Sequence, residues 1–454
     1  NESITYVLNH VDTPQANDPG GLTAEEVRDD RRQANQRNVD LKSGEAIKNT
    51  TLGVVYRKAY REHHETTVTT YLNLRDFDGR IPSNSRGEIE LDRTFGGGNV
   101  KHAYTKSLLG FKNRLTIGVD ADGQRDKRKQ RGLDGDGNVT TLSVDETQNV
   151  TSVGAFVQDE INLAENVLLS ASARYDYVHF KVSDDFTDDV TGDDSDKVDY
   201  DEWSFAGGIV WSPVAYANPF ARIATSFEVP TTTSFANPEG GGLNESLDAQ
   251  TATHFELGSK GILSDWLRYE VAAFYIVVKD ELLPYRPMFT TFYENAKKSE
   301  RIGFELALNA QLHRDLQATA SYTHSDFTFD KFTDGNGNRF NGNRLPGVPK
   351  NMASLVIDYE HLCGVFATAD IQYIDEREAD NANSVEAKDY AVLNVRGGYE
   401  RAVGAWELSG FVGINNITGQ KYIDSLRIND GNMRFFEPAP RRNYYGGVGV
   451  TRLF

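Results

Sequence analysis

The feature that most constrains the fold is a strict alternation of apolar and polar residues that recurs along the chain. In residues 115–122 and 301–311 every second residue is apolar, and those between are small, polar or charged. Successive side chains of a β-strand point to opposite faces, so this pattern predicts strands with one apolar and one polar face. The longest apolar run, residues 271–278, is far shorter than the ~18 residues of a membrane-spanning helix. The sequence therefore predicts an all-β protein and excludes a helical membrane protein.

The connections between these strands alternate in length. Short ones at 59–63, 109–112, 164–166, 213–217, 313–314, 361–364 and 401–404 separate long ones at 11–47, 77–97, 127–149, 183–199, 229–250, 330–348 and 415–441. Short turns at one rim and long loops at the other are typical of an outer-membrane β-barrel, whereas a soluble β-sandwich has no reason to alternate them. We predict a single domain over residues 1–454, a transmembrane antiparallel β-barrel of about 18 strands. Its first strand is expected at residues 2–10 and its last at residues 442–454.

The same alternation assigns side chains to the two faces of the barrel wall, because a strand repeats every two residues. The apolar set is predicted to face lipid: Leu115, Ile117, Val119, Ile302, Phe304, Leu306, Leu408 and Val412. The charged set is predicted to face the lumen: Arg222, Glu228, Arg301, Glu305 and Glu407.

The composition excludes several classes of function. The chain has 67 Asp and Glu against 48 Lys and Arg, and its net charge of −19 would repel a nucleic acid. The single cysteine, Cys363, excludes an internal disulfide framework and a Cys-rich zinc site. No GxSxG, HExxH or phosphate-cradling glycine loop is present, so we expect no enzyme activity and no cofactor. The 40 Gly, 21 Tyr and 24 Phe suit the turns and aromatic girdles of a membrane barrel.

Three groups of residues have the chemistry of metal ligands. Residues 184–202 are strongly acidic and could bind Ca²⁺ or bridge to lipopolysaccharide through a divalent cation, but a solvated loop kept extended by self-repulsion is the favoured explanation. The loop that starts at Asp134 imitates a calcium loop, although Val139 stands where the sharp turn needs glycine. His63 and His64 are adjacent, so their side chains should point to opposite faces and not share a metal. We therefore expect no bound metal.

Several segments, in order along the chain, carry a family resemblance. They are NDPGGLT (17–23) with RRQAN (31–35), ATSFEVPT (224–231), FYIVVKDEL (274–282), ENAKKSERIGFEL (294–306), NRLPGVPK (343–350) and FFEPAPRRN (435–443). Each falls at a strand end or in a loop of the predicted barrel. Together they resemble the TonB-dependent outer-membrane transporters, and within that family the iron-dicitrate-like branch.

The resemblance implies a barrel of about 22 strands around a plug domain. In the family the plug and the TonB-contacting segment precede the barrel. Neither is found in residues 1–454, and by our count the first four strands are also missing. We expect an incomplete barrel, because an open 18-stranded sheet would expose two unpaired edges to lipid.

The resemblance also implies energy-coupled uptake of a scarce solute across the bacterial outer membrane. The implied partners are the TonB–ExbB–ExbD complex, outer-membrane lipid and lipopolysaccharide, and the favoured cargo is a ferric chelate such as ferric citrate or a siderophore. Two alternatives stay open. A transporter of the same class could import a small anionic cofactor such as a quinone, or cobalamin, and a passive 18-stranded porin would need no plug.

An anionic iron chelate requires guanidinium groups and aromatic walls near the outer ends of the strands. The predicted ligand-binding residues are Arg75, Tyr285, Arg301, Arg434, Phe436, Arg441 and Arg442. For each arginine the alternative is a salt bridge with one of the abundant carboxylates.

Overall fold

The computed structural model describes residues 2–108, 110–188, 192–235, 237, 242–285 and 291–452. Within these ranges one antiparallel sheet of 18 long strands dominates, accompanied by two two-stranded sheets in the loops. The strands are β1 Glu2–Asn17, β2 Gly44–Tyr60, β3 His64–Arg80, β4 Glu88–Leu108, β5 Phe111–Leu133, β6 Val139–Ala164, β7 Val167–Asp184, β8 Asp196–Trp211, β9 Asn218–Glu228, β10 Gln250–Ser264, β11 Leu267–Tyr285, β12 Phe292–His313, β13 Leu316–Lys331, β14 Asn351–Glu360, β15 Val365–Ile374, β16 Arg377–Glu378, β17 Glu386–Ala387, β18 Tyr390–Val403, β19 Trp406–Asn415, β20 Ile423–Leu426, β21 Phe436–Pro438 and β22 Asn443–Arg452. The helices are α1 Ala24–Asp30 and α2 Gln36–Asp40. The predicted all-β fold class is confirmed.

The strands of the large sheet follow one another as a meander. Each strand pairs with the next one in the sequence, with β16–β17 and β20–β21 set apart as short hairpins. In the described part of the chain β1 pairs only with β2, and β22 only with β19, so each leaves one edge without a partner strand. The first strand runs further than predicted, to Asn17. Residues 453 and 454 of the predicted last strand lie outside the described residues.

The alternation of short turns and longer loops is confirmed, with two corrections. We call the rim with the short turns the turn rim and the opposite one the loop rim. The long loops predicted at 77–97 and 127–149 were wrong, because β3 to β6 continue through most of both ranges. Their polar segments stay extended through cross-strand ion pairs, such as Arg131 with Glu88 at 3.1 Å and Glu90 at 2.7 Å. These pairs stabilise a sheet that extends beyond the height of the apolar belt.

The two faces of the sheet differ as the alternation predicted. Apolar side chains on one face are largely exposed, including Val119 at 55%, Ile302 at 52% and Val412 at 72%. Such a belt is what a membrane barrel presents to lipid, so we assign this face to the outside. The opposite face, assigned to the lumen, carries ion pairs such as Arg93 with the fully buried Asp126 at 2.6 Å.

Buried apolar side chains cluster where the loops pack together. One cluster contains Phe180 and Phe235, a second contains Phe329 and Phe332, and a third contains Phe435. The loop rim is therefore a folded layer. No helix in the described residues is long and apolar enough to cross a membrane.

Candidate ligand-binding site at the loop rim

The first long loop, residues 18–43, is ordered by a capped helix. The hydroxyl of Thr23 accepts a hydrogen bond from the backbone N–H of Glu26 at 3.2 Å, and the Glu26 carboxylate accepts one from the N–H of Thr23 at 2.9 Å. This capping box satisfies two donors that a helix start otherwise leaves unpaired. It fixes the direction of α1 and places Arg31 and Arg32 directly after its last turn.

The same helix is joined to the last long loop, residues 416–442. Arg434 donates two hydrogen bonds to the Glu26 carboxylate, at 2.6 and 2.8 Å. The hydrogen bond from Thr23 and the Arg434 charge lower the pKa of Glu26. Beside this pair, Leu22 and Phe436 exchange backbone hydrogen bonds at 2.9 and 3.1 Å. The two loops therefore form one structural unit although some 400 residues separate them in the sequence.

A second arginine strengthens this junction. Arg427 contacts Asp18 at 2.7 Å and Glu437 at 2.6 Å. Burial opposes its charge, but the neighbouring carboxylates of Asp18 and Glu437 raise the pKa of Arg427. Arg427 therefore stays charged and neutralises two of the acidic groups near the cavity.

A cavity of about 690 Å³ lies between these two loops and the ends of β1 to β4. Four arginines line it, Arg31, Arg32, Arg80 and Arg441, together with Phe77. Of these, Arg80 also contacts Glu88 at 3.8 Å and donates to the backbone oxygen of Gly137 at 3.1 Å. The rest of its wall comes mainly from residues 16–20 and 437–440, and it includes the acidic residues Asp18, Glu45 and Glu437. We call this space the arginine cavity.

Arg31 has unused hydrogen-bonding capacity in the arginine cavity. Its Nη2 donates to the backbone oxygens of Tyr422 at 2.8 Å and Ala439 at 3.1 Å. Its Nη1 is buried and has no hydrogen-bond partner among the described residues. Burial first, and then the nearby charge of Arg441, lower the pKa of Arg31. A buried donor without an acceptor is costly, so Arg31 would gain from an anion that reaches Nη1.

The structure brings only some of the predicted site residues to this cavity. Arg441 lines it, and Arg75 lies over the ring of Phe77 at 5.5 Å. The Nε of Arg75 is also buried without a partner. Arg442 points elsewhere, since its Nε donates to the backbone oxygen of Ile417 at 2.9 Å.

The other predicted residues have structural partners. Arg434 is held by Glu26, and Phe436 is buried with 6% of its surface exposed. On strands β11 and β12, Arg301 contacts Glu281 at 2.6 Å, and the rings of Tyr285 and Phe292 pack with 5.9 Å between their centroids. For Arg301 and Arg434 the geometry is the salt bridge that the sequence left as the alternative.

Sequence reasoning missed Arg31, Arg32 and Arg80 as cavity residues. The pair Arg31–Arg32 was within the RRQAN segment that carries the family resemblance, so a signal was present. No comparable sequence motif contains Arg80, which lies in the predicted loop at 77–97. It reaches the cavity because β3 continues to Arg80.

In the calcium-like loop, the carboxylate of Asp134 is hydrogen-bonded to other residues of the same loop. Asp134 accepts hydrogen bonds from the N–H groups of Asp136 at 3.0 Å and Asn138 at 2.8 Å, and from the Asn138 side chain at 2.9 Å. In the described ranges no group of three or more His, Cys, Asp or Glu has the geometry of a metal site. Of the acidic segment 184–202, residues 189–191 lie outside the described residues.

Comparison with known families shows which protein family the chain belongs to. A family model described as "TonB dependent receptor-like, beta-barrel" matches residues 2–417, which is most of the chain. The chain belongs to the TonB-dependent receptor family. Members of this family are β-barrels of the bacterial outer membrane, and we place the strands described above in that membrane.

Individual relatives agree with this assignment. The chain is 26% identical over 277 residues to the ferrioxamine receptor of Yersinia enterocolitica, covering 60% of this chain and 36% of that protein. It is 25% identical over 296 residues to the probable TonB-dependent siderophore receptor PiuA of Acinetobacter baumannii, covering 60% of this chain and 37% of that protein. The chain thus spans little more than a third of the length of the curated relatives that it matches.

Solved structures share the fold. The unliganded ferric citrate transporter FecA superposes with a TM-score of 0.83 at 16% identity, over 99% of this chain and 68% of that one. The siderophore receptor PiuA of Acinetobacter baumannii superposes with a TM-score of 0.77 at 17% identity, over 99% of this chain and 72% of that one. At this identity the likeness concerns the barrel architecture.

Proposed function

We propose that the protein takes part in TonB-dependent, energy-coupled uptake of a ferric chelate across the bacterial outer membrane. In this proposal the loop rim faces the outside of the cell, and the arginine cavity is where the chelate is first bound. The names of the relatives, which are ferrioxamine and siderophore receptors, support iron-chelate uptake as the activity. Within the family we propose the iron-dicitrate-like branch, which rests on the sequence segments at 17–35, 224–231, 274–282, 294–306, 343–350 and 435–443.

The observation that carries the proposal is that four arginines, of which Arg80 already contacts Glu88 at 3.8 Å, line one cavity of a protein whose net charge is −19. Like charges in a partly enclosed space repel, so such a cluster needs either carboxylate partners or an anionic ligand. Arg31 retains an unpaired buried donor, and Arg441 raises the positive potential around it. Forked guanidinium donors match carboxylates in pairs, which suits a ferric chelate with free carboxylate arms.

The proposal includes further parts of the machinery. We propose that a plug domain and about four more strands complete a barrel of about 22 strands. In the described part of the chain β1 and β22 each have one edge without a partner strand, which supports this because exposed strand edges are not tolerated in lipid. TonB, ExbB and ExbD would supply the energy, and outer-membrane lipid and lipopolysaccharide would surround the apolar belt.

The test is calorimetric titration of the complete protein with ferric citrate. Arg31→Ala and Arg441→Ala should each weaken binding by roughly tenfold to a hundredfold, the range for losing a charged hydrogen bond. The matched control is Arg314→Ala, an exposed arginine at the turn rim, which should bind as the parent does.

The open alternatives give different results in the same preparation. Binding of a quinone cofactor or cobalamin, with none of any iron chelate, would change the cargo but keep the class. Steady ion conductance in a planar bilayer, without chelate binding, would instead indicate a passive porin. Either result would contradict the proposed cargo.

A further inference from the structure

A pair of imidazole rings lies on the turn rim, at the opposite end of the barrel from the arginine cavity. His64 begins β3 directly after the turn 61–63, and His102 lies on the neighbouring strand β4. In the strand register Thr66 faces His102, so the two histidines are diagonal neighbours. Their ring nitrogens, Nδ1 of His64 and Nε2 of His102, are 3.1 Å apart. The partner of His64 is therefore not its sequence neighbour His63 but a residue 38 positions away.

The pair is on the outer face of the sheet. His64 and Thr66 share a face of β3 with Leu72 and Leu74, which are 38% and 45% exposed and belong to the apolar belt. His102 shares a face of β4 with Val100, which is 46% exposed. The two imidazoles thus lie at the edge of the belt, where the membrane meets the periplasmic water.

Neighbouring side chains hold both rings in place. Tyr60 stacks on His64 with 5.4 Å between ring centroids and an interplanar angle of 10°, and Tyr104 lies 4.8 Å from His64 on another side. The hydroxyl of Thr66 lies 3.0 Å from Nδ1 of His102. When that hydroxyl accepts the Nδ1 proton, Nε2 of His102 carries a lone pair directed at His64. Such an outer hydrogen bond is what orients a metal-binding histidine.

The nitrogen separation has the size of a chelate. Two imidazole nitrogens bind a late first-row metal at about 2.0–2.1 Å. They are then about 2.9 Å apart at a square-planar angle and about 3.4 Å apart at a tetrahedral angle. The observed 3.1 Å lies between these values, but it is also the length of a ring-to-ring hydrogen bond, so binding a metal requires both rings to turn their nitrogens towards it. Without metal, one ring N–H donates to the other ring; with metal, both nitrogens must offer lone pairs, so the His64 proton moves from Nδ1 to Nε2.

We propose that His64 and His102 chelate one divalent late first-row cation at the turn rim, with water completing its coordination. Neutral imidazole suits Zn²⁺, Ni²⁺ and Cu²⁺, and among these Cu²⁺ binds most tightly. The bound ion would link β3 to β4 on the lipid-facing side of the barrel. This site does not depend on the proposed uptake function, because it shares no residue with the arginine cavity.

The test uses the full chain, without a polyhistidine tag, in neutral detergent micelles, titrated with CuCl₂. The background is Cys363→Ser, since the exposed free thiol would itself bind or reduce copper. We expect one equivalent of Cu²⁺ whose electron paramagnetic resonance spectrum reports two imidazole nitrogens. His64→Ala and His102→Ala should each weaken this binding on the order of a hundredfold, because the second ligand no longer binds intramolecularly.

The matched control is His313→Ala, which removes an exposed histidine at the turn rim whose ring contacts the carboxylate of Asp315 at 3.8 Å. This variant should bind copper as the background protein does. Thermal unfolding gives a second readout: Cu²⁺ should raise the midpoint of the background protein and of His313→Ala, but not of the other two variants. The background protein keeps both histidines. If its electron paramagnetic resonance spectrum shows one coordinating nitrogen or none, the proposal is overturned. Equal copper affinity in His64→Ala, His102→Ala and the background protein would overturn it as well.

Discussion

The bidentate contact between Arg434 and Glu26 gives the sharpest test of how the loop rim is held together. Glu26→Gln removes the charge of the side chain but retains an amide oxygen that can still accept from the backbone of Thr23, so the capping box survives. Charged hydrogen bonds are worth about 1.5–3 kcal/mol, whereas exposed ion pairs are worth about 0.2–1 kcal/mol. The two side chains are 28% and 29% exposed, so solvent screens this pair in part. We expect a loss of about 1 kcal/mol, the upper end of the range for exposed ion pairs.

The assay is hydrogen exchange of the amides in α1, whose Val27 N–H donates to the Thr23 oxygen at 3.0 Å. A loss of about 1 kcal/mol corresponds to roughly fivefold faster exchange by local opening. Glu26→Ala should exchange faster still, because it also loses the capping box. Glu25→Gln, one residue earlier and exposed, is the control and should exchange as the parent does. Unchanged protection in Glu26→Gln would refute the claim that this pair ties the two loops together.

The pH dependence of the same junction has a defined sign. The pKa of Glu26 is lowered in the folded protein, first by the hydrogen bond from Thr23 and then by Arg434. A lowered carboxyl pKa contributes stability that is present above the unfolded value, about 4.3, and is lost as the pH falls through the folded value. The protection of the α1 amides, measured relative to their intrinsic exchange rate at each pH, should therefore be high at neutral pH and fall in acid in the parent, while Glu26→Gln should lack this acid-dependent step.

Two further predictions concern the barrel wall. Gly364→Ala should destabilise the turn before β15 by more than about 1 kcal/mol, because φ is +98° and the new Cβ would lie 1.9 Å from the Glu400 oxygen. Gly404→Ala, at φ +62° in open space, should cost less, and equal urea midpoints for the two variants would contradict this reasoning. Arg93→Met should cost about 3–5 kcal/mol, because the fully buried Asp126 loses its cationic partner and keeps only the hydrogen bond from Gln124 at 3.0 Å. Adding Asp126→Asn should restore much of that loss in urea titrations, and no recovery would disprove the charge argument.

The fold followed from the sequence because its main determinant is local. Alternation around Ile302 and Arg301 can be recognised without knowing any partner strand, and turn chemistry supplied most of the short connections. The error at residues 127–149 has the opposite cause. The run from Lys127 to Arg131 is polar on both faces and resembles a loop, and it is extended only because Glu88 and Glu90 lie opposite it on β4.

The site was less accessible from sequence for a similar reason. Arg441 was predicted from its place beside aromatic residues in the last loop, and it does line the arginine cavity. Arg31 could not be placed at the cavity from sequence alone, because its position depends on the contact of Glu26 in α1 with Arg434, some 400 residues away. The likewise unforeseen pairing of His64 with His102 depends on the register of β3 against β4.

The central claim is TonB-dependent uptake of a ferric chelate, and radio-iron uptake by cells tests it most directly. Cells that produce the complete protein as their sole receptor of this class should accumulate iron from ferric citrate in a saturable manner. Uptake should cease when TonB is deleted and should fall by roughly tenfold to a hundredfold at limiting chelate in Arg31→Ala, following the loss of one charged hydrogen bond. Iron accumulation that persists without TonB, or that never exceeds the level of cells lacking the protein, would contradict the account.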